Sequence, residues 1–564
     1  MSGLLTRRHR MPALLGGLLA VALALTGCAG IPMGGSVGTF TLGDDSSDDR
    51  LLTLPDGPQE GQTPSEILAG FLAAQRAPQN NYDIARLFLA DELRLDWKPT
   101  ALVRLSDSAL VPQPNGGDDR LRIDATVQAV VDASGVYTEL QRAEQQTLDY
   151  EFARDDEGEW RISAAPDGTV ISTRGFERSF ISYPLYFFDP SGTALVPDVR
   201  WFPDTAARTE RIVRQLLAGP APWYQNGVLI TSFPTGTELE SSGVSIESGT
   251  ATVALSAEAG AQDADTRWRM QQQLRLSLTA LGEVKAVRMT AGGFPIEVSG
   301  GTSAESSFLA KPDPLGLAEG GFGYLTASTI DPVPGISDAV QALGPLGATL
   351  GRDAQAAAVR NAQGVWLVRA GESPVLVDTR AGLIDPSIDA RGFVWTAVAD
   401  HADSIRAIDP AGGVHELPAP NLDGQILTLD VSRDGARLLI ATQGVGGPAL
   451  TIAGIVRDGD GVPTGFGDPL SLAVGSAALV DAGWVDASTV AALARDDDET
   501  RVDLYRIGGR HELAGRLTGG VQLVGGNFAD GLRVRDAEGT VWRRNSSGGW
   551  QSTGIVASFL ATQQ

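Results

Sequence analysis

LTLDVSRDGARLLIAT, residues 427–442, runs from an apolar strand through a polar turn into a second apolar strand. Three other stretches share this form: AAAVRNAQGVWLV (356–368), DPSIDARGFVWTA (385–397) and LVDAGWVDASTVAAL (479–493). Their starts lie 29, 42 and 52 residues apart. From about 310 to 564 helical periodicity nearly vanishes, and short apolar segments alternate with Gly/Asp turns. A four-stranded propeller blade takes ~40–45 residues, so the region has room for roughly five or six blades. Radial repetition leaves only short sheet edges, which suits this many short strands. Two β-sandwiches are the alternative.

Upstream, helical and strand periods are mixed. The segment FISYPLYFFDPSGTALVPDVRWFP begins at Phe180 and carries two strands around the turn signal Asp189-Pro190-Ser191-Gly192. TERIVRQLLAGP then reads as an amphipathic helix with Ile212, Val213, Leu216 and Leu217 on one side, stopped by Gly219-Pro220. Strands at 244–246 and 251–255, a helix over 266–281 and a strand at 284–289 complete a unit at 178–300. This order, with its LLAGP helix end, resembles the GerMN domain of sporulation and cell-envelope proteins.

A further α+β domain is expected at 63–172. Thr63-Pro64-Ser65-Glu66 is a capping box with proline at the first helical position. A second helix is expected near 82–89, with Ile84, Leu87 and Phe88 inward. Leu121, Ile123, Ala125, Val127, Ala129 and Val131 then alternate as a strand, followed by strands at 137–140, 148–152 and around Trp160 and Ile162. Helices followed by a strand meander resemble cone-shaped, nuclear-transport-factor-like domains. Asp83, Asp91, Glu92 and Asp96 read as a solvated face. The fold class is therefore multidomain: two N-terminal α+β domains, cone-like and then GerMN-like, followed by a C-terminal β-propeller at 310–564.

The first residues carry an address. Arg7, Arg8 and Arg10 precede an uncharged run from residue 11 to 24. The run is shorter than the ~20 residues a membrane-spanning helix needs and reads as a signal peptide, 1–27. Leu25, Thr26, Gly27 and Cys28 resemble the bacterial lipobox. That resemblance implies recognition by a signal peptidase, S-diacylglycerol and N-acyl groups on Cys28, and attachment to the outer face of the cell membrane. Residues 28–62 then form the lipidated cysteine and a Gly/Ser/Asp/Pro-rich tether reaching about 30 Å by random-coil scaling.

Composition narrows the function classes. Cys28 is the single cysteine of 564 residues, so no disulfide forms within the mature chain. Net charge is −25, and losing three arginines with the signal peptide takes it to −28. Such a surface repels nucleic acid and anionic headgroups. Gly34-Gly35-Ser36-Val37-Gly38 matches G-x-S-x-G but lacks the strand and helix of a nucleophile elbow. His401, His415 and His511 are scattered through polar loops. Asp458-Gly459-Asp460-Gly461 and the acidic triplet at 496–498 read as turns, not as an EF-hand. With no zinc spacing, P-loop or dinucleotide fingerprint, no catalytic residue, metal or cofactor is expected, and the chain is read as a non-enzyme.

Lipobox, α+β domain, GerMN-like domain and propeller, in this order, resemble the actinobacterial lipoprotein LpqB family. The Asp430-Val431-Ser432-Arg433-Asp434-Gly435 segment also resembles the D-x-S-x-D-G turn of TolB-like and WD-type propellers. The family resemblance implies an accessory protein that binds the extracytoplasmic part of the MtrB sensor histidine kinase. It would thereby influence MtrA signalling, cell-wall maintenance and division. The alternative is a cell-envelope hydrolase, or a glycan or small-ligand binder using the propeller or the cone.

Overall fold

The computed structural model describes residues 55–564, except 302, 327–328, 421, 498 and 546–547. The signal peptide, Leu25, Thr26, Gly27, Cys28, Ser36 and most of the tether lie outside the described residues.

The first helix, Pro64–Ala74, starts with the capping box: Thr63 and Glu66 each accept from the other's backbone N–H. The Thr63 N–H and hydroxyl both donate to the Glu66 carboxylate and hold its pKa below the ordinary value. Ile67, Leu68 and Phe71 are buried. The second helix, Gln79–Arg86, departs from the expectation. Asn80, Asn81 and Tyr82 adopt left-handed φ values of 47°, 58° and 63°, so right-handed geometry begins only after Tyr82. Tyr82 and Ala85 therefore face the core with Phe88, while Leu87 is exposed.

Strand Arg120–Asp132 alternates buried and half-buried along its length, as the sequence period requires. Its partner is one strand, Tyr137–Arg154, rather than two. The polar residues 141–147 hide this continuity because both faces there meet solvent; Glu144–Thr147 still pair with Asp124–Val127, while residues 140–143 bulge out of the ladder.

A helix, Thr173–Ser179, leads directly into the hairpin Phe180–Phe188 and Leu195–Pro203. The amphipathic helix Arg208–Ala218 follows and ends at Gly219, whose φ of 101° explains the glycine. Strands Thr250–Leu255 and Ala286–Ala291 pair in parallel. The crossover between them is helix Ala264–Thr279, which buries Met270, Leu274 and Leu278.

The propeller's inner strands start at Gly347, Ser387, Gln425, Ala478 and Gly520, so successive starts lie 40, 38, 53 and 42 residues apart. The uneven sequence spacing has two causes. Residues 356–368 form the second and third strands of their blade, whereas the other three stretches begin at or beside an inner strand. The third blade also splits its outer strand into Pro463–Phe466 and Leu470–Leu472, both paired with Gly447–Arg457. Five antiparallel blades result. A sixth is built from Leu315–Ala318, Gly321–Leu325 and Ile330–Asp331 together with the end of strand Trp550–Gln563.

The GerMN-like domain and the propeller share one buried cluster. Leu185, Phe187, Ile212 and Leu274 are continuous in it with Leu439, Ile452, Trp484 and Tyr505. Val228 sits against Gly454, where an added Cβ would lie 2.4 Å from its Cγ1. Only glycine permits that approach.

Candidate functional site

The segment 430–437 occupies the inner end of the third blade, and each of its polar residues has a separate task. The Asp430 carboxylate accepts from Ser387 Oγ (3.3 Å), the Trp484 N–H (3.2 Å) and Gln564 Nε2 (3.3 Å). Blades two, three and four are thereby tied around the axis. Burial outweighs these donors and pushes the Asp430 carboxyl up to about 6. Asp481 repeats the device one blade on, accepting from Thr428 Oγ1 (2.8 Å) and the N–H groups of Leu523 (2.8 Å) and Ala482 (2.9 Å). Burial again dominates and raises it to about 7. Both carboxylates lie at the propeller's axis and are engaged as staples between inner strands.

The other half of the segment faces the GerMN-like domain. Ser432 Oγ donates to Asp434 Oδ1 (2.6 Å) and accepts the Arg437 N–H (3.1 Å). Asp434 forms an ion pair with Arg437, and both side chains are fully buried. The Arg437 guanidinium lies 4.7 Å from the centre of the Trp484 ring. Its Nη1 donates to Tyr224 Oη (3.2 Å) and Ala487 O (2.6 Å).

A matching pair pins the first junction. Buried Arg200 forks onto Asp198 (2.9 and 2.7 Å) and donates to Ser134 O of the cone-like domain (3.0 Å). Asp198 also accepts the Ala221 N–H (2.8 Å), three residues before Tyr224. Burial raises the Tyr224 hydroxyl above its ordinary pKa while Arg437, Asp198 and Asp434 all act on it. One polar seam therefore runs through all three domains. Of these residues only Asp430, Ser432 and Asp434 stood out in the sequence, as members of the D-x-S-x-D-G turn. The one available signal for Asp198 and Arg200 was opposite charges two apart on one face of an otherwise apolar strand.

The remaining sequence candidates are dispersed. His401 is exposed. His415 lies not in a loop but on strand Val414–Glu416, and it contacts Asp409 at 3.3 Å across the preceding turn. Asp458 closes its own turn by accepting the N–H groups of Asp460 and Val462. Asp496 pairs with Arg516 at 2.8 Å. Asp83, Asp91, Glu92 and Asp96 are exposed. Among the described residues no group of three His, Cys, Asp or Glu could hold a metal.

His511 has a role that its loop position did not signal. Its Nδ1 lies 2.8 Å from Glu139 Oε1, and its N–H donates to Glu139 Oε2 (3.2 Å), clasping the long hairpin to the fourth blade. The Glu139 hydrogen bond raises the His511 pKa, against partial desolvation and with further support from Asp503. A raised histidine stabilises the contact fully below its unfolded pKa of ~6.5 and loses that contribution as pH rises through the folded value. Raising pH from 6 to 9 is thus expected to lower the protection factors of amides in residues 137–142, that is, their exchange after the intrinsic base-catalysed rise is divided out. The change should vanish in His511→Gln; a pH response equal to wild type in that variant would refute the clasp.

Fold and seam together define a class: two α+β modules locked onto a six-bladed propeller, with buried charges spent on holding the pieces together. A family model described as Lipoprotein LpqB, N-terminal domain, matches residues 57–177, and one described as Lipoprotein LpqB beta-propeller domain matches 320–558. Between them a germane model, described as sporulation and spore germination, matches 184–297. Lipoprotein LpqB of Bifidobacterium longum is 25% identical over 82% of this chain and 81% of its own length. That of Streptomyces coelicolor is 27% identical over 77% and 78%. The match to the Cutibacterium acnes protein, at 31% identity, spans 49% of this chain and 46% of that protein. The chain belongs to the LpqB lipoprotein family. Among solved structures, TolB from Acinetobacter baumannii is similar at 15% identity and a TM-score of 0.28, covering 37% of this chain and 51% of that one.

Proposed function

We propose that this protein is a lipid-anchored, extracytoplasmic accessory protein that binds the extracytoplasmic part of a two-component sensor kinase of the MtrB type and so bears on envelope upkeep and division. The observation that supports this reading best is the polar seam joining the cone-like domain, the GerMN-like domain and the propeller. A seam of that kind makes a stiff body whose buried carboxylates are occupied in holding it together, which suits a binding platform better than a catalyst. No helix among the described residues is long and apolar enough to cross a membrane. The anchor in this reading is the lipid on Cys28, added after cleavage behind Leu25, Thr26 and Gly27. Tethering raises the effective concentration of the body beside membrane receptors. A kinase responds only if the lipoprotein binds its active and inactive states unequally.

Two measurements test this. Cys28→Ala is expected to move the protein out of the lipidated membrane pool, because two acyl chains contribute ~0.8 kcal/mol per buried CH2 and their loss abolishes stable anchoring. Unchanged incorporation of labelled fatty acid in the variant would end the anchor claim. The detergent-solubilised protein should co-purify with the kinase ectodomain. Failure to bind at micromolar concentration, together with turnover of a wall substrate, would replace the regulator with a hydrolase.

A further inference from the structure

A crevice of about 90 Å³ opens between the cone-like and GerMN-like domains. A water needs ~10–15 Å³ of such space, so the crevice takes about six waters or a ligand group of similar size. Phe180 and Trp201, on one face of the hairpin, line one wall together with Phe202, whose side chain turns to the opposite face and into the GerMN-like core. Arg211 and Arg214, three apart on helix Arg208–Ala218 and therefore on one face, line another.

The charges here are unusually open. The half-buried Arg211 guanidinium has no hydrogen bond or ion pair with any described residue, although the chain carries 69 acidic against 44 basic residues. Among the described residues Arg214 reaches only Glu210, at 4.0 Å. The acid in the wall, Asp132, is already engaged. Its Oδ1 accepts from the Ser134 N–H (2.8 Å), the Ser134 hydroxyl (2.7 Å) and the Val136 N–H (3.0 Å), and the Arg200 charge faces it.

Tyr82 does not line the crevice but sits in the core of the cone-like domain, within reach of the Arg211 charge. Its hydroxyl is buried without a partner, and the Arg211 charge acts on it. Its φ of 63° is rare for a bulky residue, and such strain gathers at ligand clamps.

We propose that this crevice binds a short-chain carboxylate, its carboxylate held by the Arg211 and Arg214 guanidinium forks and its apolar body against Phe180 and Trp201. The planar forks match carboxylate geometry, and the aromatic wall favours an apolar tail over a bare inorganic anion. Kinase binding is not required for this site, so the two readings stand or fall separately.

The test is a titration of the full chain in detergent, with micelles alone as blank, followed by ligand-observed NMR. The probes are butyrate, 1-butanol and inorganic phosphate. Butyrate is expected to saturate, and 1-butanol and phosphate to bind at least about tenfold more weakly, equivalent to ~1.4 kcal/mol. Arg211→Gln should weaken butyrate by about tenfold or more with an unchanged unfolding midpoint. Should that variant fold poorly, the exposed Arg214→Gln supplies the same comparison. Equal binding of butanol, phosphate binding as tight as butyrate, affinity unchanged in the variants, or no saturation at millimolar butyrate would each overturn the proposal.

Discussion

Deleting residues 556–564 is expected to cost about 5–10 kcal/mol, on the scale of the ~5–15 kcal/mol that holds a typical domain folded. The last strand, Trp550–Gln563, pairs first with Thr540–Arg544 of the fifth blade. It then changes neighbour: Ala557–Ala561 pairs with Leu315–Ala318, and Thr562 and Gln563 run parallel to Thr349 and Leu350. The ring is therefore closed by segments about 245 residues apart. Phe559 and Leu560 are 4% and 2% exposed and enter two different clusters, Phe559 beside Phe322 and Leu560 beside Leu325 and Val541. Losing a buried Phe costs ~3–5 kcal/mol and a buried Leu ~2–5 kcal/mol. The edges of Leu315–Ala318 and Gly347–Leu350 would also be left unpaired, inviting association. Urea unfolding followed by circular dichroism should show a broad or absent transition in the truncated chain, and size-exclusion chromatography should show aggregates. A cooperative transition within about 2 kcal/mol of the full chain would show that the ring does not depend on this closure.

That closure also marks where sequence reading ran out. Local patterns carry local structure, so the capping box at Thr63–Glu66, the alternation of 121–131 and the amphipathic Ile212, Val213 and Leu216 were all legible. The turn around Asp434 and Gly435 identified a blade because its polar spacing is set within a few residues. Three features were not legible, each for a physical reason. The left-handed turn at Asn80–Tyr82 precedes and opens the helix expected near 82–89, and it places Tyr82 in the core, which no local pattern records. Strand Tyr137–Arg154 loses its apolar alternation where both faces meet solvent and a bulge at 140–143 breaks the register, although pairing resumes at Glu144. Blade six joins two segments whose composition holds no record of their pairing. For the same reason the candidate site was only partly visible. Asp430 and Asp434 stood in a motif, but Tyr224, Arg200, Arg211 and Arg437 acquire roles only from neighbours distant in sequence.

The seam makes its sharpest statement at Arg437. Arg437→Met is expected to destabilise the protein by about 3–5 kcal/mol, the range for breaking a buried ion pair and leaving its partner charged. Packing alone would predict far less, since Met approximates the length of the aliphatic stem. Asp434 would keep its Ser432 hydrogen bond yet lose its counter-charge while fully buried. Tyr224 Oη would lose the Arg437 donor, and Ala487 O its 2.6 Å bond. Because the GerMN-like domain and the propeller share a core, wild type should unfold them together, whereas the variant should let the GerMN-like domain open first, as a low-stability unit. Equilibrium urea unfolding monitored by tryptophan fluorescence and by circular dichroism separates the cases: coincident curves in wild type, split curves in Arg437→Met. Asp434→Asn combined with Arg437→Met removes the orphaned charge and should recover part of the loss, a coupling that a double-mutant cycle reads directly. If Arg437→Met stays within 1 kcal/mol of wild type with coincident curves, the apolar contacts around Val228 and Trp484 hold the domains without help from the charges, and the seam is a passenger of the packing.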